Sequence, residues 1–455
     1  MVGDLKVRVS ADPPHLLKNL RNAFQQFDFV LSDETVRQHN LVSNLVQIRH
    51  IKDLYEFDCT KEMKYAPKLT SECFDVHGLA AMNVPRARKI FSQDVGAGLR
   101  AMVEIHNFSK EYLTTALFCN MVGRWYNLVT SRNRKFSLSL KDFRKYEEEV
   151  DFLKEMMELI GSTKFSASQK NARHPFQKGF LMSTMSLLEV VDFLLRVRKF
   201  HFVMCGRMTC DCIENLFSSI RLRAKAPTCL QTKSILRTLT IIKALRPSKF
   251  GAYEEDEKST WLIEIKDFKD FEGITFVEEK EEKDLDIFVG VFETRDYAEQ
   301  QVVTYVTGHL LKRTICTNSY CPKCVSAFTD PTATMKEQDF ILMKAWKDGS
   351  LVIPSQIAYN IFSMVEDTFR IHRDKINKEK DVIEQMIDSL DEVIRDKYDI
   401  PFCHLELMLK RWFNVRMHFW ANESNRLMKD DTAQQRENLG QANASQSMKG
   451  YYLNK

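Results

Sequence analysis

Apolar residues recur at spacings of three and four along most of this chain, the period of an amphipathic helix. Within residues 31–205 the pattern runs through Leu41 to Ile48, Ala97 to Ile105, Tyr112 to Leu128, Tyr146 to Ile160 and Leu181 to Val197, and it predicts a mostly helical block. It returns over residues 290–430, where Ile357 to Ile371 and Leu405 to Trp420 read as bundle helices. Leu405, Met408, Leu409, Trp412 and Val415 form the apolar stripe of the last one. Strand signals are short. Leu5, Val7 and Val9 alternate with Lys6, Arg8 and Ser10, and Trp261, Ile263 and Ile265 alternate further on. Two tracts interrupt the helical texture. Residues 251–289 are acidic and self-repelling, which predicts an exposed linker and a domain boundary. Residues 431–455, rich in Gln, Asn, Ser and Lys, are expected to be disordered.

One stretch organises the rest. From Cys210 to Arg221, the residues Ile213, Leu216, Phe217 and Ile220 fall at i, i+3, i+4 and i+7, a single helical stripe. Asp211 and Glu214 sit in the first turn on a neighbouring face, where the helix dipole favours negative charge. On spacing alone this is also a plain helix with an acidic start. Far upstream, Asp12 ends the first alternating run, and Pro13-Pro14 opens a helix near His15. A carboxylate at a strand end and another on a later helix suit a shared Mg²⁺ or Mn²⁺, whose preferred ligands are hard oxygens. Paired ions of that kind hold the attacking and leaving oxygens in phosphoryl transfer.

Composition narrows the field. A chain of 455 residues suggests two to four domains, and its net charge of +4 is too mild to argue for nucleic acid by itself. A local basic run does more: Arg221, Arg223, Lys225, Lys233, Arg237, Lys243 and Arg246 follow the acidic helix start and suit a DNA backbone, although a solvated helix face reads the same way. The first ten residues lack the apolar core of a signal peptide, and no apolar run reaches the length of a membrane span. The 11 cysteines are odd in number and scattered, so reduced thiols are expected in an intracellular protein. Cys316, Cys321 and Cys324 are spaced C-x4-C-x2-C, with His309 nearby. That pattern fits a Zn²⁺ site and equally fits free thiols.

At this point the chain resembles a known family. Asp12-Pro13-Pro14-His15-Leu16, with Lys18 and Arg21-Asn22, followed far downstream by Asp211, Glu214, Phe217 and Ile220-Arg221, looks like the P-element transposases and their THAP-domain relatives. Lys68-Leu69-Thr70, Met82-Asn83-Val84, Arg124-Trp125-Tyr126-Asn127 with Ser131-Arg132, and Tyr305 to Leu310 with Cys321-Pro322-Lys323-Cys324 are similar to further family segments, in the same order.

The resemblance implies a mixed, predominantly α fold: a partial RNase H-like core, interrupted by a helical insertion domain and followed by a helical C-terminal domain. On that plan residues 1–30 are an RNase H-like fragment with the second catalytic acid, Asp12. Residues 31–205 are the guanine-nucleotide-binding insertion, which lacks a P-loop, and residues 206–250 close the core with the third acid, Glu214. The resemblance also implies that Lys68 contacts phosphate, that Val84 and Tyr126 flank base and ribose, that Asn127 stands in the same nucleotide site, and that Asp211 reads the guanine edge. A carboxylate suits that task because it accepts two hydrogens. Asn83 stands where the family has Lys and Asn127 where it has Asp, each removing a charge-assisted contact, and Thr130 stands where it has Asn. Mg²⁺ or Mn²⁺, GTP, DNA at transposon ends and a nuclear location are implied in the same way. The family's first catalytic Asp, on an earlier strand, has no counterpart before Asp12, and neither has its THAP zinc finger. An N-terminally truncated copy is therefore expected, with two readings open: a transposase, or a non-catalytic descendant binding DNA, nucleotide or protein. No metal-dependent DNA cleavage is expected from this chain alone.

Overall fold

Helix starts in this chain are set by capping side chains and prolines, and a computed structural model shows both at work. It describes residues 8–166, 174–224, 226–245, 287, 289, 295–318, 320–330, 339–344, 351–376, 378–379 and 381–425. In order these form α1 (Pro13–Phe24), β1 (Phe29–Val30), α2 (Asp33–Gln38), β2 (Leu45–Val46), α3 (Ile48–Cys59), α4 (Val84–Ile90), α5 (Gln93–Glu104), α6 (Tyr112–Val129), α7 (Phe143–Ser162), β3 (Lys164–Phe165), α8 (Pro175–Asp192), α9 (Asp211–Arg221), α10 (Cys229–Leu245), α11 (Tyr297–Leu311), α12 (Pro322–Phe328), α13 (Asp339–Lys344), α14 (Gln356–His372), α15 (Val382–Lys397) and α16 (405–425). Ser32, Asn83, Ser92, Asp142 and Ser355 accept hydrogen bonds from first-turn amides of α2, α4, α5, α7 and α14. Prolines open α1, α4, α8 and α12, where a missing N–H costs nothing.

The backbone divides into two units. The first takes the described residues up to 245 with 296–302 and 339–344. Its core gathers around Phe29, whose ring centroid lies 5.0 Å from that of Phe24, 5.5 Å from Phe118 and 5.0 Å from Phe165. Trp125 of α6 stacks on Phe180 of α8 at 3.9 Å, and its indole N–H donates to Thr184 at 3.1 Å. A buried aromatic of this size needs such a partner for its polar end. The second unit packs α14 against α15 and carries α12 and α16. Phe362 and Trp412 stack at 5.1 Å.

Most of the predicted helices appear, and the protein is predominantly helical. Three expectations change. Leu41 to Ile48, predicted helical, is mainly extended and supplies β2, because so short an apolar run cannot distinguish the two periods. The sheet of the described residues is small and antiparallel, order β2-β1-β3, with Phe29 opposite Val46 and Phe165. A larger mixed sheet is what an RNase H-like core would show. On α9 only Ile220 of the predicted stripe is buried, while Ile213 and Phe217 are 56% and 49% exposed. Val9 and Ser10 are outside any named strand. Leu5 and Val7, the acidic segment with its predicted strand (Ile287 and Val289 apart), Lys225, Arg246 and the tail lie outside the described residues.

Candidate functional site

Asp12 is positioned from two sides. The segment before it is held by α8, where Ser183 Oγ accepts from the Ala11 amide at 2.7 Å and donates to its carbonyl at 2.9 Å, while Ser186 donates to the Val9 carbonyl at 2.6 Å. Asp12 is the N-cap of α1, yet its side chain caps nothing. The two residues after it are prolines without N–H groups, so the carboxylate turns elsewhere. Its Oδ1 accepts from the Cys210 amide at 2.9 Å, one residue before α9, and its Oδ2 meets His15 Nδ1 at 2.8 Å. The other ring nitrogen of His15 faces Glu214 Oε1 at 3.7 Å. Asp12, His15 and Glu214 thus offer ligand atoms within 4.8 Å of one another. Burial pushes the Cys210 thiol up, and Asp12, Glu214 and Asp211 add to the effect. Among the described residues no third carboxylate joins this group.

Sequence reasoning named Asp12 and Glu214 but did not assign His15 a place between them. The signal was available: His15 lies three residues after Asp12, at the start of the same helix. A pair of carboxylates suits Mg²⁺ or Mn²⁺ in donor type, since Mg²⁺ is usually held by one or two carboxylates with water and phosphate completing its shell. An imidazole beside them favours Mn²⁺ over Mg²⁺.

Of the residues assigned to nucleotide, Val84 opens α4, Tyr126 and Asn127 lie on α6 and Asp211 starts α9, while Lys68 lies in a turn between α3 and α4. Arg88 of α4 donates to Asn127 Oδ1 at 3.3 Å and sits 5.8 Å from the Tyr126 ring centroid. Tyr126 is only 5% exposed, so its ring is core rather than an open stacking face. Arg132, just after α6, donates to Asp211 Oδ2, and Thr209 donates to the same oxygen at 2.9 Å. Asp211 is therefore ion-paired and hydrogen-bonded at Oδ2. Its placement depends on Gly206, whose amide donates to the Ser131 carbonyl at 2.8 Å. Val84 opens α4, half-buried. Lys68 lies within electrostatic reach of Asp94. Burial raises that carboxyl, but Lys344 and Lys68 outweigh it and hold Asp94 below the usual range.

The cysteine expectation changes. Cys321 and Cys324 do come together, but with Cys403 and His404, and Cys316 lies outside that group. Cys316 sits in the π-helical turn Lys312–Asn318 that ends α11, ahead of the bend delivering Cys321 to the start of α12. His309 instead lines a small cleft with Tyr305, Arg313 and Arg411.

Comparison with known proteins gives two family matches. Residues 14–142 match the TNP-like, GTP-binding insertion domain, and residues 293–418 match the DNA transposase THAP9, C-terminal domain. The chain is 25% identical over 245 residues to the Transposable element P transposase of Drosophila melanogaster, a match spanning 52% of this chain and 31% of that protein. It also resembles a solved Drosophila P element transposase strand transfer complex, with a TM-score of 0.46 and 22% identity over 53% of each chain. No helix of the described residues is long and apolar enough to cross a membrane. With the insertion domain matched in its first half, the C-terminal domain in its second and a P transposase among the proteins it is similar to, the chain resembles the P-element-type transposase family.

Proposed function

We propose that this chain is a DNA-directed member of its family in which Asp12 and Glu214 are two of the acids that hold a divalent metal ion, and that it binds guanine nucleotide without cleaving DNA on its own. The carrying observation is the meeting of Asp12, His15 and Glu214 within 4.8 Å, although about two hundred residues of chain separate the two carboxylates. In this reading the elements around Asp12 and Glu214 are the part of an RNase H-like core that closes on α9. Asp12, held by the Cys210 amide, keeps one oxygen fixed, while Glu214 is half-exposed and can adjust to a ligand. His15 bridges the two acids, so metal entry displaces its ring or recruits it. Held there, Mg²⁺ or Mn²⁺ supplies positive charge to phosphodiester oxygens.

Two carboxylates with one imidazole satisfy a single ion. In-line phosphoryl transfer with two ions needs more acidic ligands than this group presents. The chain is accordingly expected to bind Mn²⁺ and DNA, and to act in the nucleus, without completing the reaction. The guanine preference rests on Asp211, a carboxylate at the start of α9 whose position Arg132 and Thr209 fix through Oδ2. Asn127 and Tyr126 support the site through Arg88.

The test is a Mn²⁺ titration followed by electron paramagnetic resonance, run beside a nicking assay on duplex DNA. Mn²⁺ binding lost in Asp12→Ala and Glu214→Ala, with no nicking, is the expected pair of results. Unchanged Mn²⁺ binding in both variants removes the metal assignment. Nicking abolished by either substitution makes the protein a nuclease and removes the non-catalytic part of the reading.

A further inference from the structure

The second unit contains four side chains from two distant stretches that meet at one point. Cys321 caps the start of α12, its carbonyl accepting from the Val325 amide at 2.9 Å, and Cys324 lies one turn on, fully buried. Cys403 and His404 form the turn that leads into α16, where the His404 carbonyl accepts from the Met408 amide at 3.0 Å. Cys403 Sγ lies 3.6 Å from Cys321 Sγ and 3.1 Å from Cys324 Sγ, and His404 Nδ1 is 3.4 Å from Cys324 Sγ. All four ligand atoms fall within 4.8 Å of one another. A tetrahedral zinc with Zn–S bonds of about 2.3 Å puts its sulfurs roughly 3.8 Å apart, with nitrogen slightly closer. The observed separations are near those edges, whereas a disulfide needs about 2.05 Å. Three thiols and an imidazole gather round one point at which only Cys324 is buried, an arrangement that apolar packing does not call for. One Cys-x-x-Cys arm capping a helix and one Cys-His arm at a turn match how structural zinc sites are assembled.

We infer that Cys321, Cys324, Cys403 and His404 bind one Zn²⁺ as a closed, structural Cys3His site. Four protein ligands fill the tetrahedron, leaving no position for water or substrate, so the ion fastens the turn before α16 to the start of α12 and takes no part in DNA chemistry. The clasp closes a loop of about eighty residues, the kind of long closure whose constraint on the unfolded chain is largest. Cys316 is outside it.

The full chain, purified under reducing conditions, should carry one zinc per molecule by plasma mass spectrometry. Cobalt in its place should give the visible bands of a tetrahedral thiolate site. Cys324→Ser and Cys403→Ser should lose the metal and the bands. His404→Cys should retain both, since a fourth thiolate serves equally, and Cys316→Ser should behave as the parent. Should the serine variants fail to fold, alkylation mapping of the parent chain gives the same answer. Cys321, Cys324 and Cys403 should resist the reagent until a chelator is added, while exposed Cys59 and Cys229 react throughout. Reduced protein with zinc at background level, zinc retained in Cys403→Ser, or a Cys324–Cys403 disulfide under reducing conditions would each overturn the assignment.

Discussion

Asp58 shows what one buried carboxylate does to this molecule. It closes the loop after α3 by accepting from the amides of Tyr65 at 3.1 Å and Ala66 at 2.8 Å. It is 3% exposed, and burial pushes its carboxyl up to about 6 from 3.8, against the pull of those two amides, Lys64 and Lys344. A raised carboxyl binds its proton more tightly in the folded state than in the unfolded one. The stability it contributes is therefore complete below pH 3.8 and is lost as pH rises to about 6, a change of up to ~3 kcal/mol. Urea midpoints of the parent should fall between pH 4 and 6.5 more steeply than those of Asp58→Asn, and parallel profiles would contradict this. Gly206 is the second residue that decides something. A Cβ there would stand 2.3 Å from the Thr130 carbonyl oxygen, so Gly206→Ala must move the strip that leads to Asp211. The expected cost is about 1–3 kcal/mol by thermal melting, with weakened GTP binding, as overpacking of this kind usually brings. A normal melting temperature with normal GTP affinity would show that the strip yields freely.

At the scale of elements, α14 and α16 are joined by charge as well as by rings. Glu366 of α14 is fully buried and accepts from Arg370 Nε at 2.9 Å, Arg416 Nε at 2.7 Å and, more weakly, the Trp412 indole at 3.3 Å. Taking away the carboxylate leaves Arg416 buried without it, and breaking a buried pair in this way costs about 3–5 kcal/mol. Glu366→Ala should lower stability by that amount in denaturant unfolding. A loss below 1 kcal/mol would mean that water replaces the carboxylate. Neither partner of this network was visible in the sequence, where the α14 and α16 stripes stood out by their apolar residues alone. The long helices α6, α7 and α14 could be read because their spacing repeats over several turns. β2 could not, because eight residues carry too little periodicity. On α9 the stripe could be read as a pattern, yet only Ile220 of it is buried, since periodicity marks an apolar face without naming what covers it. Asp12 and Glu214 were legible as motif residues, while Cys403 and His404 were not. No spacing rule ties a Cys-His pair to a Cys-x-x-Cys some eighty residues away, and only the turn before α16 reveals it.

For the whole molecule, a net charge of +4 on 455 residues gives little general attraction for nucleic acid, so the DNA binding proposed above requires a local concentration of cations. Arg221, Arg223, Lys233 and Arg237 supply one. They lie on or beside α9 and α10, all are exposed, and α9 also presents Glu214. Exposed Ile213 and Phe217 on the same helix add apolar surface at its edge. If this face takes the phosphodiester backbone, each cation removed should release one fewer counterion, lowering the slope of log K against log salt by about 0.9 per contact. Replacing all four by alanine should therefore reduce the slope by about 3–4 and weaken binding most at low salt, with sequence preference unchanged. The fold should survive, because exposed cations of this kind contribute little to stability. Fluorescence anisotropy across a salt series measures both quantities. An unaltered slope would move the DNA-binding face elsewhere on the protein and would separate Glu214 from the duplex.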